Sequence, residues 1–276
     1  MSTAHARLHH DLSGPLDGPL LVLGPSLGTS MALWEPHVAS LAEKFRVLRY
    51  DLPGHGGSPA EVLGEPLPGR TTVAELAGLV RTLVDEQGRE TFAYAGISLG
   101  GAIGAQLAVE HPGRVTALAL ICTSAHFGGR QAWLERAGLV RREGVAPLVK
   151  SSPARWFAGP DTADSKVGRG LLHGLAEVDP AGYAACCDAL AQFDVRDRLR
   201  SIEAPTWVIG GERDVATPVE HARELAEGIR GAGLRIADCA HLALEDPNAV
   251  QEVLGAVHRE VSGTGLYDSA VPATAE

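Results

Sequence analysis

The sequence predicts an α/β protein in which a doubly wound, mostly parallel sheet carries a helical insertion. Three observations predict it. Short apolar runs recur along the chain with helix-patterned stretches between them. The runs have the length and β-branched or apolar content of strands buried on both faces. Between about residues 127 and 197 the alternation stops and the pattern becomes helical.

In chain order the expected strands are "PLLVLG" (19–24), "FRVLRYD" (45–51), "ETFAYAGIS" (90–98), "VTALALICT" (115–123), "PTWVIGG" (205–211) and "LRIADCA" (234–240). A helix is expected over 71–88, where Val73, Leu76, Leu79, Val80 and Leu83 share one face. Thr72 with Glu75 resembles a capping box there, and Gly88 is a plausible stop. "LGGAIGAQLAVEHPGR" (99–114) is a second helix, ended by Pro112-Gly113, and 218–231 a third. The segment 127–197 is broken by "SSPARWFAGPD" and "EVDPAGY" and holds nine basic and nine acidic residues, so the whole net charge of −10 belongs to the flanking parts. A neutral helical insertion in an acidic α/β protein reads as a cap over the C-terminal edge of the sheet. The expected organisation is a core in two parts, 1–126 and 198–262, a cap over 127–197, and a loose, small-residue-rich tail over 263–276.

With a net charge of −10 and no run of Lys or Arg, neither nucleic acid nor an anionic membrane surface is an expected partner. No window approaches 18 uninterrupted apolar residues, and "MSTAHARLHHDLSG" holds no apolar stretch of the signal-peptide kind. Cys122, Cys186, Cys187 and Cys239 fit neither a disulfide framework nor C-x-x-C zinc spacing, which predicts reduced thiols in a cytoplasmic protein. The eleven histidines make no metal site on paper; "RLHHD" (7–11) is the only dense patch, and no metal or organic cofactor is expected.

"YAGISLGG" (94–101) carries the chemistry. With 33 glycines and 14 serines, G-x-S-x-G arises by chance roughly 0.2 times in such a chain, so context must decide. Ser98 stands between a buried strand and a helix rich in small residues, the setting of a nucleophile on a strained turn. Gly96, Gly100 and Gly101 allow the close approach that such a turn requires. The helix that follows aims its first amide, Leu99, at an oxyanion formed beside Ser98. A nucleophilic serine also needs a base and an orienting acid, in the chain order serine, acid, histidine. Asp214 follows the strand "PTWVIGG" and His241 lies in the loop beyond the next one. His111, His221 and His258 lie in or beside helix patterns and Asp238 within a strand, so they fit less well. A second oxyanion donor is expected from "GPSLGTS" (24–30), where alignment back from Trp34 places it at Leu27. "DLPGHGGS" (51–58) reads as a turn held by Asp51 and His55 near the pocket.

On these residues the chain resembles the α/β-hydrolase superfamily over nearly its whole length, and within it the 3-oxoadipate enol-lactonases of the protocatechuate branch of the β-ketoadipate pathway. "SLGTSMALWEP" (26–36), "RYDLPGHGGS" (49–58), "GISLGGAIGAQLAVEHPGRV" (96–115) and the cap segments "WLERAGLVRREG" (133–144) and "RWF" (155–157) carry the resemblance. Leu52-Pro53 and Leu242-Ala243-Leu244 depart from the lactonase pattern and bear on substrate more than on reaction class. The resemblance implies a central sheet flanked by helices with the cap inserted after the sixth strand. It also implies a carboxylic-ester hydrolase acting on a small lactone that bears one carboxylate. An anion gains nothing from the overall field of this protein, so a local cation is expected in the pocket. Arg136, Arg141 and Arg155 are candidates, with Trp133 and Trp156 as apolar walls. Arg136, one helical turn from Trp133, is the first choice. A carboxylesterase or C–C bond hydrolase of a ring-cleavage product would use the same three residues. A non-catalytic ligand-binding protein of the same fold would more often have lost one of them, and Ser98 excludes a dehalogenase that needs aspartate there. Homo-oligomerisation is left open.

Overall fold

A computed structural model describes residues 6–64 and 66–263. Seven strands form one sheet: β1 (His10–Ser13), β2 (Leu20–Gly24), β3 (Arg46–Tyr50), β4 (Phe92–Ile97), β5 (Val115–Ile121), β6 (Thr206–Gly211) and β7 (Gly233–Ala237). Their spatial order is β1-β3-β2-β4-β5-β6-β7, and only the β1–β3 pair is antiparallel. The six expected strands are all present. β1 is an addition, paired from His10 opposite Tyr50 to Ser13 opposite Val47.

Burial follows position in the sheet. Every residue of β2 and β4 is buried, as expected for central parallel strands covered on both faces. β7 is an edge strand and leaves Leu234 and Arg235 exposed, so the expectation that all six strands are buried on both faces fails there. Asp238 lies just beyond β7 rather than within it; its exposed carboxylate pairs with Arg213 at 2.8 Å.

The helices are α1 (Glu35–Ala42), α2 (Val73–Glu86), α3 (Leu99–Glu110), α4 (Arg130–Glu143), α5 (Ala146–Ser151), α6 (Pro153–Trp156), α7 (Pro160–Ala163), α8 (Lys166–Ala176), α9 (Pro180–Gln192), α10 (Val219–Gly228) and α11 (Pro247–Val261). The capping box forms as read: Thr72 Oγ1 accepts the Glu75 N–H at 3.1 Å while the Glu75 carboxylate accepts the Thr72 N–H at 3.3 Å. α3 is buried almost all round, which is why its apolar residues follow no single face. Its small residues let it lie hard against the sheet, and Tyr94 Oη–H donates to Gly100 O at 2.8 Å beneath it. Tyr50 completes this buried polar pair by donating to Tyr94 Oη at 2.8 Å.

α4–α9 stand between β5 and β6. The insertion therefore follows the fifth strand in chain order, not a sixth, because only one edge strand precedes β2. This helical block meets two loops, after β3 and after β7, that both leave the C-terminal ends of strands. Asp179 N–H donates to Gly54 O at 2.8 Å, Leu242 N–H to Trp156 O at 3.3 Å, and Ala158 N–H to Glu245 Oε1 at 2.9 Å. α4 and α9 are further bound by Arg141, whose guanidinium pairs with the buried Asp188 carboxylate. Among the described residues no helix is long and apolar enough to cross a membrane. All four cysteines are buried and free. The tail expected from 263 onward falls outside the described residues after Gly263.

Candidate active site

One turn and two loops, all at the C-terminal ends of parallel strands, bring Ser98, Asp214 and His241 together. Ser98 follows β4 directly with φ 57 and ψ −118, a left-handed conformation that costs a non-glycine residue about 1–3 kcal/mol. Three hydrogen bonds hold it there. Its N–H donates to Ile121 O at 3.0 Å, and its carbonyl accepts from Ala102 N–H at 3.0 Å and Thr123 Oγ1–H at 2.6 Å. The flanking glycines are required by contact: a Cβ on Gly96 would lie 2.3 Å from the Gly100 carbonyl, and one on Gly100 would lie 2.3 Å from Gly24 O.

His241 Nε2 lies 2.9 Å from Ser98 Oγ, and His241 Nδ1 lies 2.8 Å from Asp214 Oδ2. Asp214 is saturated with donors. Ala216 and Thr217 N–H reach Oδ1 at 2.7 and 3.0 Å, and Thr217 Oγ1–H reaches Oδ2 at 2.6 Å. Burial raises the Asp214 pKa, but the charge of His241 and the hydrogen bonds from His241 and Thr217 outweigh it and hold the carboxyl below its ordinary value. An ionised carboxylate only accepts, so His241 carries its proton on Nδ1 and offers the Nε2 lone pair to the Ser98 hydroxyl. Ser98, Asp214 and His241 are 5, 4 and 6% exposed, so all three side chains are largely shielded from bulk water.

Leu99 is the first residue of α3, and its N–H is one of the amides a helix cannot satisfy internally. Leu27 lies in a turn in which Ser26 O accepts Thr29 N–H at 3.0 Å and Thr29 Oγ1–H at 2.8 Å. In the planar peptide joining Ser26 to Leu27 the N–H opposes that carbonyl, so it points out of the turn. The predicted loop of 51–58 reaches the same segment. Asp51 Oδ1 accepts Met31 N–H at 2.7 Å, and His55 Nε2 accepts Gly28 N–H at 3.1 Å.

Over these loops the cap separates the three arginine candidates. Arg141 is committed to Asp188. Arg136 donates from Nε and Nη2 to Tyr183 Oη at 3.1 and 2.6 Å, and its guanidinium sits 5.6 Å from the centroids of both Trp133 and Tyr183. Arg155 is depressed from its ordinary pKa, first by burial and then by the positive charge of Arg136. Among the described residues neither Arg136 nor Arg155 pairs with a carboxylate. Trp133 Nε1–H is anchored on Phe127 O at 2.9 Å, and the buried Trp156 ring presses on Gly28, where an added Cβ would lie 3.0 Å away. The sequence reading did not include Tyr183, Thr217 or Glu245. Thr217 was legible as the hydroxyl three residues after Asp214 in "DVATP". Tyr183 gives no such signal, since its partner Arg136 lies on another helix.

The model of the Alpha/beta hydrolase family matches residues 20–253. "3-oxoadipate enol-lactonase 2" of Acinetobacter baylyi is 34% identical, covering 91% of this chain and 92% of the relative. "Putative carbamate hydrolase RutD" of Variovorax paradoxus is 33% identical, covering 82% of this chain and 86% of the relative. The crystal structure of the enol-lactonase from Burkholderia xenovorans LB400 superposes with a TM-score of 0.84 at 34% identity, covering 91% of this chain and 95% of that one. These relatives share the hydrolase class and differ in the bond their names assign. The match spans the Ser98 turn and the loops that carry Asp214 and His241, and the chain belongs to the alpha/beta hydrolase family.

Proposed function

We propose that this hydrolase opens a small enol-lactone bearing one free carboxylate, 3-oxoadipate enol-lactone, through an acyl-enzyme on Ser98. The observation that carries the reading is the Ser98–His241–Asp214 chain lying beneath a cap with two guanidiniums that have no carboxylate partner among the described residues. The similarity to proteins named as enol-lactonases supports the substrate.

In this reading Ser98 Oγ attacks the ring carbonyl while His241 Nε2 takes its proton and Asp214 holds the imidazole. The Leu27 and Leu99 amides receive the oxyanion, an interaction whose loss typically costs ~2.7–4 kcal/mol. Collapse of the tetrahedral centre breaks the ring C–O bond. The expelled enolate takes the proton from His241 and becomes a ketone. Water then attacks the acyl carbonyl, gives its proton to His241, and releases Ser98 with the second carboxylate of the product. Arg136 and Arg155 receive the substrate's free carboxylate, with Trp133 and Trp156 walling the pocket. The four free thiols support a reducing, cytoplasmic setting.

A carbamate substrate is the second reading, favoured by the similarity to RutD. The experiment is kcat/KM on 3-oxoadipate enol-lactone, p-nitrophenyl acetate and a small carbamate, repeated with Arg136→Ala and Arg155→Ala. Because a charge-assisted hydrogen bond contributes about 1.5–3 kcal/mol, each substitution is expected to lower kcat/KM on the lactone about 10- to 100-fold. The neutral nitrophenyl ester should change little. Equal losses on both substrates would remove the arginines from substrate recognition. Carbamate turnover that exceeds lactone turnover would replace the substrate.

A further inference from the structure

Residues 25–30 lie between β2 and the single turn of 3-10 helix at Met31–Trp34, so no sheet or helix ladder holds the Leu27 amide in place. Three side chains do the holding. Thr29 closes the turn on Ser26 O, Asp51 takes the Met31 N–H, and His55 takes the Gly28 N–H. The last contact is the critical one. Gly28 has φ +86, and a glycine opposes rotation about its own backbone least of all residues. The soft joint of the loop is therefore next to the proposed oxyanion donor.

His55 is built for this contact. It is fully buried, and its Nδ1–H donates to Pro53 O at 2.9 Å, which leaves Nε2 as an acceptor facing Gly28 N–H at 3.1 Å. Its ring stacks on Tyr183 with centroids 6.0 Å apart and planes 22° apart, and Tyr183 is gripped from outside by Arg136. On its other side Gly28 is closed off, since an added Cβ would lie 2.9 Å from Leu175 Cδ1 and 3.0 Å from Trp156 Cζ2. The peptide that follows Leu27 is thus pulled by His55 and covered by the cap.

We propose that His55 is a positioning residue: its Nε2 holds the Leu27–Gly28 peptide so that the preceding amide meets the oxyanion. The proposal rests on the reading of Leu27 as an oxyanion donor and of Ser98 as the nucleophile. His55 touches neither substrate nor the reacting atoms, so its effect falls on kcat rather than on substrate affinity.

The test is a pair of variants that divide the two hydrogen bonds of the ring. His55→Asn places an amide where Nδ1 was, keeping the bond to Pro53 O and losing the one to Gly28. His55→Gln reaches to where Nε2 was and restores an acceptor for Gly28 N–H. With p-nitrophenyl acetate, and active sites counted by stoichiometric phosphonate labelling, kcat of His55→Asn should fall about 10- to 100-fold with KM within about threefold of the parent. His55→Gln should stay within about threefold of the parent in both constants, and a tetrahedral boronate should bind His55→Asn more weakly in proportion to the loss in kcat. Equal losses in the two variants, a loss confined to KM, or no loss in His55→Asn would each overturn the proposal. Ser98→Ala, assayed alongside, separates the two levels. If it is inactive while His55→Asn behaves as the parent, only the role of His55 fails; if it retains activity, the nucleophile reading fails and this proposal with it.

Discussion

Ser98→Ala is expected to lower kcat on any ester or lactone by about 10⁶, and Asp214→Asn by about 10⁴. The second value follows from the hydrogen bonds around the acid. Ala216 and Thr217 N–H both point at Oδ1, so an asparagine turns its carbonyl oxygen toward them. Its NH2 then faces His241 Nδ1, where a lone pair must now be. The imidazole proton moves to Nε2 and faces Ser98 Oγ, 2.9 Å away, so the base has no free electron pair for the hydroxyl. Size and shape are conserved, and folding should survive the change. Single-turnover rates with p-nitrophenyl acetate, alongside thermal melts, check both variants. Either variant retaining activity within tenfold of the parent while folded would remove the residue from the mechanism. A companion expectation concerns strain. Ser98→Gly should raise stability by roughly 1 kcal/mol while abolishing activity, because glycine adopts the φ of 57 without the penalty a side chain meets.

The order of these residues was legible because each depends on local signals. A buried strand followed by small residues marks the Ser98 turn. Asp214 and His241 each follow a recognisable strand, and the box of Thr72 and Glu75 is complete within four residues. What sequence could not supply is pairing over distance. β1 is four residues of mixed polarity, and it is a strand only because β3, far along the chain, offers its edge. Among the cap arginines, sequence spacing distinguished Arg136 only by its nearness to Trp133. The fold removes Arg141 from the candidates by burying Asp188 beside it, 47 positions later. His55 was legible as a holder of its own turn, but not as the partner of Gly28, which lies 27 positions earlier in the chain.

Acidification should begin to destabilise this protein near pH 6.5, before its carboxylates start to be neutralised. His37 and His55 are buried, and burial pushes each imidazole from its ordinary 6.5 down to about 4; at His55 weaker effects of the Pro53 carbonyl and of Asp51 and Asp179 oppose it. The folded state thus keeps both rings neutral while the unfolded chain protonates them near 6.5. Their contribution to stability is full above pH 6.5, falls as pH drops from 6.5 to about 4, and changes no further below that. At about 1.4 kcal/mol per pKa unit, each ring removes roughly 3 kcal/mol across that window, a large share of a typical 5–15 kcal/mol. Geometry makes His55 the stricter of the two. His37 Nδ1 meets the amide of Gln251 at 2.9 Å, and that amide can turn to present its oxygen to a protonated ring. His55 Nε2 faces a backbone N–H, which unlike an amide side chain has no oxygen to present in its place, so a proton there sets donor against donor. Asp214 acts in the same direction but lower, since its depressed pKa gives stability that is lost only as pH falls below 3.8. Urea midpoints measured at pH 7.5, 6, 5 and 4 should therefore drop at each of the three steps, and His37→Gln should reduce the total drop by about half. A midpoint unchanged between pH 7.5 and 5 would show that the two rings exchange protons in the folded state as freely as in the unfolded one. It would also remove the argument that His55 is held as an acceptor against the oxyanion loop.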